Sequence, residues 1–226
     1  MEAGAARSVG SRARRIALTI DVEHPDRPGS RPGATERLLD LLGRSGVPAT
    51  FFIQGRWAEA FPATARRIAT EGHLVGSHSF YHARLTLLSD EGVAADITRA
   101  DAVVREATGV DPRPWFRCPF GDGTADRRVL DAIARLGYVH VGWDVDAIDW
   151  DTRRTAAQVA ATIWNEASLR PTSVVLLHGW PPATLVAVAS TIRRFGQQGA
   201  AFVTIDQLGA GERPAGMPAE PAPPDR

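Results

Sequence analysis

Short apolar runs alternate with longer amphipathic stretches along this chain. The apolar runs are Ile16 to Ile20, Ala49 to Ile53, His73 to Gly76, Trp115 to Arg117, Tyr138 to Trp143, Ser173 to Leu177 and Ala201 to Ile205. Their length and richness in Val, Ile, Phe and Trp predict buried strands. Between them, helical periodicity covers Ala34 to Leu42, closed by Gly43 or Gly46, and then Ala58 to Thr70. Ser89-Asp90-Glu91 supplies an N-cap and first-turn acids for a long helix to Thr108, stopped by Gly109. Further helices are expected at Ala125 to Leu136, Thr155 to Leu169 and Val186 to Phe195. Strands alternating with covering helices predict an α/β fold on a parallel sheet. About seven such units suit either a barrel or a doubly wound sheet.

The polar residues decide between the two. Asp21, His78, Arg117, Asp146 and His178 each lie just after a predicted strand. In a barrel the loops after the strands share one face, and active sites are built there. No glycine-rich phosphate loop of the dinucleotide type follows the first strand. The expectation is therefore a barrel over residues 15–208, with a basic flexible lead at 1–14 and a Pro/Ala-rich disordered tail at 209–226.

Composition narrows the partners. With 26 basic and 26 acidic residues the net charge is +0, which argues against nucleic acid or a membrane surface. No run approaches the ~20 apolar residues of a membrane span. Cys118 is the only cysteine, which excludes an intrachain disulfide and a thiolate-cluster metal site. The N-terminus lacks the apolar core of a secretory signal, so the sequence as it stands predicts a cytoplasmic protein; a trimmed leader would make it a secreted one. Oligomeric state is not encoded in any feature of the sequence.

The candidate chemistry starts from His78-Ser79-Phe80-Tyr81-His82. Histidines at i and i+4 share a face on a helical turn and can grip one divalent cation, with zinc at ~2.0–2.1 Å from each nitrogen. Asp21 and Glu23 alternate along an extended segment and so point to one side, offering a base and a metal ligand. Arg117, beside the turn Cys118-Pro119-Phe120-Gly121, is placed to orient a carboxylate bidentately. Cys118 itself reads as a small buried hydrophobe. Asp146 and Asp149 could each orient a histidine or an arginine, and Trp150 could wall a groove that stacks on a sugar. His178 ends an apolar strand on the same face. His24, His73 and His140 have no comparable company and are expected to be structural.

In this order the pieces resemble the polysaccharide deacetylases, the NodB-like domain of carbohydrate esterase family 4. Five short motifs recur along that family's deformed seven-unit β/α barrel. Here they are Thr19-Ile20-Asp21-Val22-Glu23, His78 to His82, Arg117 to Gly121, Asp146-x-x-Asp149-Trp150-x-x-Arg153, and Leu176-x-His178. The first departs from the usual T-F-D-D-G: Val22 cannot bind metal, and a D-x-D/E branch of the family makes Glu23 the ligand. The resemblance implies one divalent metal on Glu23, His78 and His82, zinc before cobalt, manganese or nickel. It implies Asp21 as base, oriented by Arg117, and His178 as acid, tuned by Asp146 or Asp149. The backbone N–H of Phe120 would stabilise the oxyanion, and Leu176 would line the pocket for the acetyl methyl. The implied reaction removes an N-acetyl group from an amino sugar or polysaccharide and releases acetate. Some relatives with altered first motifs cleave cyclic amides without metal, so an intracellular amidohydrolase on a small molecule is the alternative. A binding domain that has lost catalysis fits less well, since Asp21, both motif histidines, Arg117 and His178 are all kept.

Overall fold

The computed structural model describes residues 13–26 and 33–208. The expected lead and tail fall outside these bounds, except for Ala13 and Arg14. Arg14 is held in place, its guanidinium donating to the carbonyls of Ala167, Ser168 and Arg170 at 3.2 Å each.

Eight strands form one parallel sheet: β1 (Arg15–Val22), β2 (Thr50–Ile53), β3 (Leu74–Ser77), β4 (Trp115–Phe116), β5 (Val139–His140), β6 (Val145–Asp146), β7 (Thr172–His178) and β8 (Ala201–Phe202). Their spatial order is β5-β4-β3-β2-β1-β7-β6, with β8 pairing the start of β1. The helices are α1 (Ala34–Ser45), α2 (Gly55–Ala60), α3 (Pro62–Thr70), α4 (Asp90–Thr108), α5 (Arg127–Arg135), α6 (Ala156–Ala167) and α7 (Thr184–Gly196). The sheet curls into a deformed half-barrel, the α/β fold expected from the sequence.

Alternation in the strands separates two apolar layers. Ile16, Leu18, Ile20 and Val22 of β1, with Phe51, Ile53, Val75, Val175 and Leu177, pack outward against Leu38, Leu39, Leu42, Ile163, Val188 and Phe195 of the helices. Ala17, Phe52, Trp115, Val141, Val174 and Ile205 fill the interior of the curl. Asp21 and His178 are the last inward-facing residues of β1 and β7, and they are partners in the β1–β7 register. A third cluster under α4 and α5 includes Leu85, Ile97, Phe116, Cys118 and Ile133.

Three expected elements take a different form. The helix expected over Ala58 to Thr70 is two helices, because Pro62 sits at the first position of α3 and cannot donate back into α2. The strand expected over Tyr138 to Trp143 is only Val139–His140. Beyond it the carbonyls of Val141 and Gly142 take hydrogen bonds from Arg117 rather than from a strand, and the chain crosses to the far edge as β6. The barrel therefore stays open between β5 and β6, with a buried guanidinium at the seam. Finally, His78 to His82 is not a helical turn. It is an irregular loop after β3 in which Ser79 and His82 take left-handed φ values of 59° and 58°.

Candidate active site

The loop after β3 depends on Asp96 of α4. Its carboxylate is buried and accepts the backbone N–H groups of Phe80 at 2.9 Å and Tyr81 at 3.0 Å. Ser79 Oγ accepts the N–H of His82 at 3.1 Å. These bonds replace the helical spacing as the reason why His78 and His82 face one point. Gly55 lies under the loop so closely that a Cβ there would stand 2.4 Å from the Phe80 ring.

Glu23, just past β1, completes the cluster. Its Oε2 is 2.5 Å from His82 Nε2 and 3.3 Å from His78 Nε2. Burial works against its charge, but hydrogen bonding to His78 and His82 overrides this and holds the carboxyl far below the usual carboxylate range. Val22 points the other way, into the outer core, so alternation alone gives Glu23 the inward position. The donor set suits a divalent cation. His78 Nδ1–H donates to the Arg117 carbonyl at 2.8 Å, so in the neutral ring Nε2 presents a lone pair to Glu23 Oε2 and, at 3.5 Å, to Asp21 Oδ2, and only the protonated ring hydrogen-bonds them. A lone pair facing two carboxylates is repulsive unless a proton or a cation lies between them. One ligand atom from each of Glu23, His78 and His82 lies within 4.8 Å of the others, and all three residues are buried.

Two paired groups flank the cluster. Arg117 is fully buried, and its Nη1 donates to Asp21 Oδ1 at 2.9 Å. The contact is single rather than bidentate, because Nε and Nη2 are spent on Val141 and Gly142. Phe52 stacks under the guanidinium, 4.2 Å from its carbon. Opposite, His178 Nδ1–H donates to Asp149 Oδ1 at 2.8 Å. Asp149 is inaccessible to solvent; its Oδ2 takes the backbone N–H of His178 at 2.8 Å and the hydroxyl of Thr184 at 2.6 Å. Burial lowers the His178 pKa, but the Asp149 charge and hydrogen bond outweigh it and raise it to about 9. Of the two acids left open by the sequence, Asp149 therefore contacts His178. Asp146 instead accepts the Ile148 N–H at 2.8 Å and reaches the Trp150 indole at 3.5 Å.

Asp21, Glu23, His78, His82, Asp146 and His178 line a cavity of about 390 Å³ at the ends of the strands, with Phe120, Trp150 and Leu176 also on its wall. Phe120 is more than half exposed, in a left-handed conformation at φ 58°, and its ring stands edge-on to His82. Trp150 is half exposed. Arg153 turns to solvent and pairs with Asp151. Cys118 is buried, and its thiol is pushed up to about 12. His140 stands behind Arg117, its pKa lowered to about 4 by burial and by that arginine.

The expectation for His24 is also corrected. His24 is not remote: it lines the cavity with its ring 4.5 Å from His82 and Nε2 3.4 Å from Glu23 Oε1. Sequence reasoning also passed over Asp96, Thr184 and Trp180. Asp96 and Thr184 sit in helices, away from any strand end. Trp180 is two residues past His178, and that position was its only signal.

The sequence matches the model of the polysaccharide deacetylase family over residues 8–141. The chain belongs to the polysaccharide deacetylase family. Membership makes it a hydrolase acting on amide bonds. This deacetylase-family chain is 34% identical over 185 residues to the chitooligosaccharide deacetylase of Sinorhizobium fredii, covering 81% of each. It is also 34% identical over 195 residues to a peptidoglycan-N-acetylglucosamine deacetylase of Listeria monocytogenes, covering 86% of this chain but only 39% of that protein. Among solved structures, the family 4 carbohydrate esterase from Streptomyces lividans in complex with acetate superposes with a TM-score of 0.73. That match is at 28% identity over 84% of this deacetylase-family chain and 91% of the esterase. Among the described residues, no helix is long and apolar enough to cross a membrane.

Proposed function

We propose that this chain removes the acetyl group from an N-acetylated amino sugar within a carbohydrate, by metal-assisted amide hydrolysis. The observation that carries the reading is that two proton carriers, Asp21 held by Arg117 and His178 held by Asp149, share one cavity with a single Glu-His-His cluster.

In this reading the contacts around the cavity support the following steps. Arg117 engages Asp21 Oδ1 and orients the carboxylate, so Oδ2 is left to take the proton of an attacking water. The water oxygen bonds to the amide carbonyl carbon, and the C–N bond breaks as His178 Nε2–H protonates the leaving amine. Asp149 fixes the imidazole through Nδ1, so that Nε2 faces the cavity, and favours its protonated form. Glu23, His78 and His82 would hold the divalent metal, zinc first, which would polarise the acyl oxygen and acidify the water. The backbone N–H of Phe120 would add to oxyanion stabilisation, Leu176 would border the acetyl methyl, and Trp150 would offer an aromatic face to a sugar ring.

The names of the relatives support an N-acetyl amino sugar substrate. The test is acetate release from N-acetylglucosamine oligomers, with cyclic and small linear amides in parallel, before and after chelation. Release from the oligomers that chelation stops and zinc restores is expected. Turnover of small amides alone, indifferent to chelation, would replace this reading by a metal-independent amidohydrolase.

A further inference from the structure

Glu23 lies one residue past the end of β1. It is also one methylene longer than the aspartate of the usual motif, which gives the carboxylate an extra torsion to settle. Its two oxygens nevertheless have separate tasks. Oε2 faces His78 and His82, while Oε1 accepts the indole Nε1–H of Trp180 at 3.2 Å, with His24 Nε2 at 3.4 Å. Trp180 is 5% exposed, so its N–H needs a protein partner, and an indole N–H can only donate. It cannot titrate in the working range or take a metal. Its place follows from the close meeting of two strand ends. Gly179 N–H donates to the Asp21 carbonyl at 2.9 Å, and a Cβ on Gly179 would lie 2.8 Å from Val22 Cγ1 and 2.9 Å from Thr35 Oγ1. Only glycine lets β7 approach β1 this closely, and that approach brings the next residue, Trp180, onto Glu23.

We propose that Trp180 is a positioning residue for the cation site: its indole N–H holds Glu23 Oε1 so that Oε2 is presented to the space between His78 and His82. The proposal rests on the reading that these three residues hold a divalent cation.

The experiment measures zinc affinity of the chelator-stripped full chain by competition with a chromophoric chelator, together with the melting temperature of the metal-free protein. Trp180→Phe is expected to weaken zinc binding by roughly 10–100-fold, the usual effect of removing a ligand's hydrogen-bond partner. Combined with Glu23→Gln, it should add little to the loss caused by Glu23→Gln alone, because both act on one contact. A merely structural tryptophan would instead lower the metal-free melting temperature and give additive losses, which would overturn the proposal. Replacing residue 180 with benzothienylalanine keeps the bicyclic shape without the N–H, and it serves if Trp180→Phe does not fold; the same loss is expected. Wild-type zinc uptake with unchanged affinity in the variant overturns this inference alone. A wild-type chain that takes up no stoichiometric zinc overturns the cation reading, and this inference with it.

Discussion

Replacing Asp149 with asparagine should move the alkaline limit of activity rather than lower activity evenly. Asparagine keeps the size and one acceptor oxygen but removes the charge that opposes the burial of His178. In the wild type that opposition lifts the imidazole from an ordinary 6.5 to about 9. At ~1.4 kcal/mol per pKa unit, this is on the order of 3 kcal/mol in favour of the protonated form. With Asp149 neutral, and only the charges of Glu23 and Asp21 still opposing burial, the variant's imidazole should return towards the ordinary 6.5. Around pH 8 the protonated fraction would then fall from about nine-tenths to about one-thirtieth, and around pH 6 it would change little. The assay is kcat for acetate release across pH, at saturating N-acetylglucosamine oligomer. A loss of roughly 30-fold near pH 8 that shrinks towards pH 6 is expected. The same pair predicts a stability trend. A raised imidazole pKa stabilises the fold fully below about 6.5, and that contribution disappears as pH rises through about 9. The wild-type melting temperature should therefore decline across that window more than the variant's. An alkaline limb that stays in place, with a uniform loss at every pH, would falsify the assignment of His178 as the acid tuned by Asp149.

Asp21→Asn should lower kcat by roughly 10²–10⁴-fold while zinc content measured by elemental analysis persists; loss of metal in this variant would make Asp21 a ligand. The double change His78→Ala with His82→Ala should abolish stoichiometric zinc, and a full equivalent retained would refute the ligand set. Asp96→Ala leaves the buried N–H of Phe80 and the N–H of Tyr81 without their acceptor, at a cost of roughly 1–3 kcal/mol for each group left buried and unpaired. The variant should unfold at lower denaturant and bind zinc more weakly; an unchanged midpoint and affinity would show that the loop holds its shape without α4.

The strand and helix sequence of the fold was readable because apolar periodicity is written locally. Placing Asp21, His78, Arg117 and His178 at strand ends needed only that periodicity and the barrel rule. What stayed hidden depends on contacts between distant segments. The histidine pair was expected on a helix from its spacing, but two left-handed residues and the Asp96 carboxylate shape a loop with the same outcome. Asp146 and Asp149 look equivalent in sequence; contacts between distant segments separate them, since Asp149 meets His178 and Thr184 while Asp146 bonds locally to Ile148 and Trp150. His24 looked isolated because the ring it packs against, His82, is remote from it in the chain.

The in-register pairing of Asp21 with His178 has a consequence for how such a protein can change over generations. The distance between the two proton carriers is fixed by a parallel ladder, with adjacent strands roughly 4.8 Å apart, and not by any connecting loop. Insertions after β4 or β6 can reshape the cavity mouth for a new polymer without disturbing that separation. A slip of a single residue between β1 and β7 would turn one of the two carriers into the helical layer. Substrate range is thus free to drift, while the proton-handling distance is inherited with the sheet.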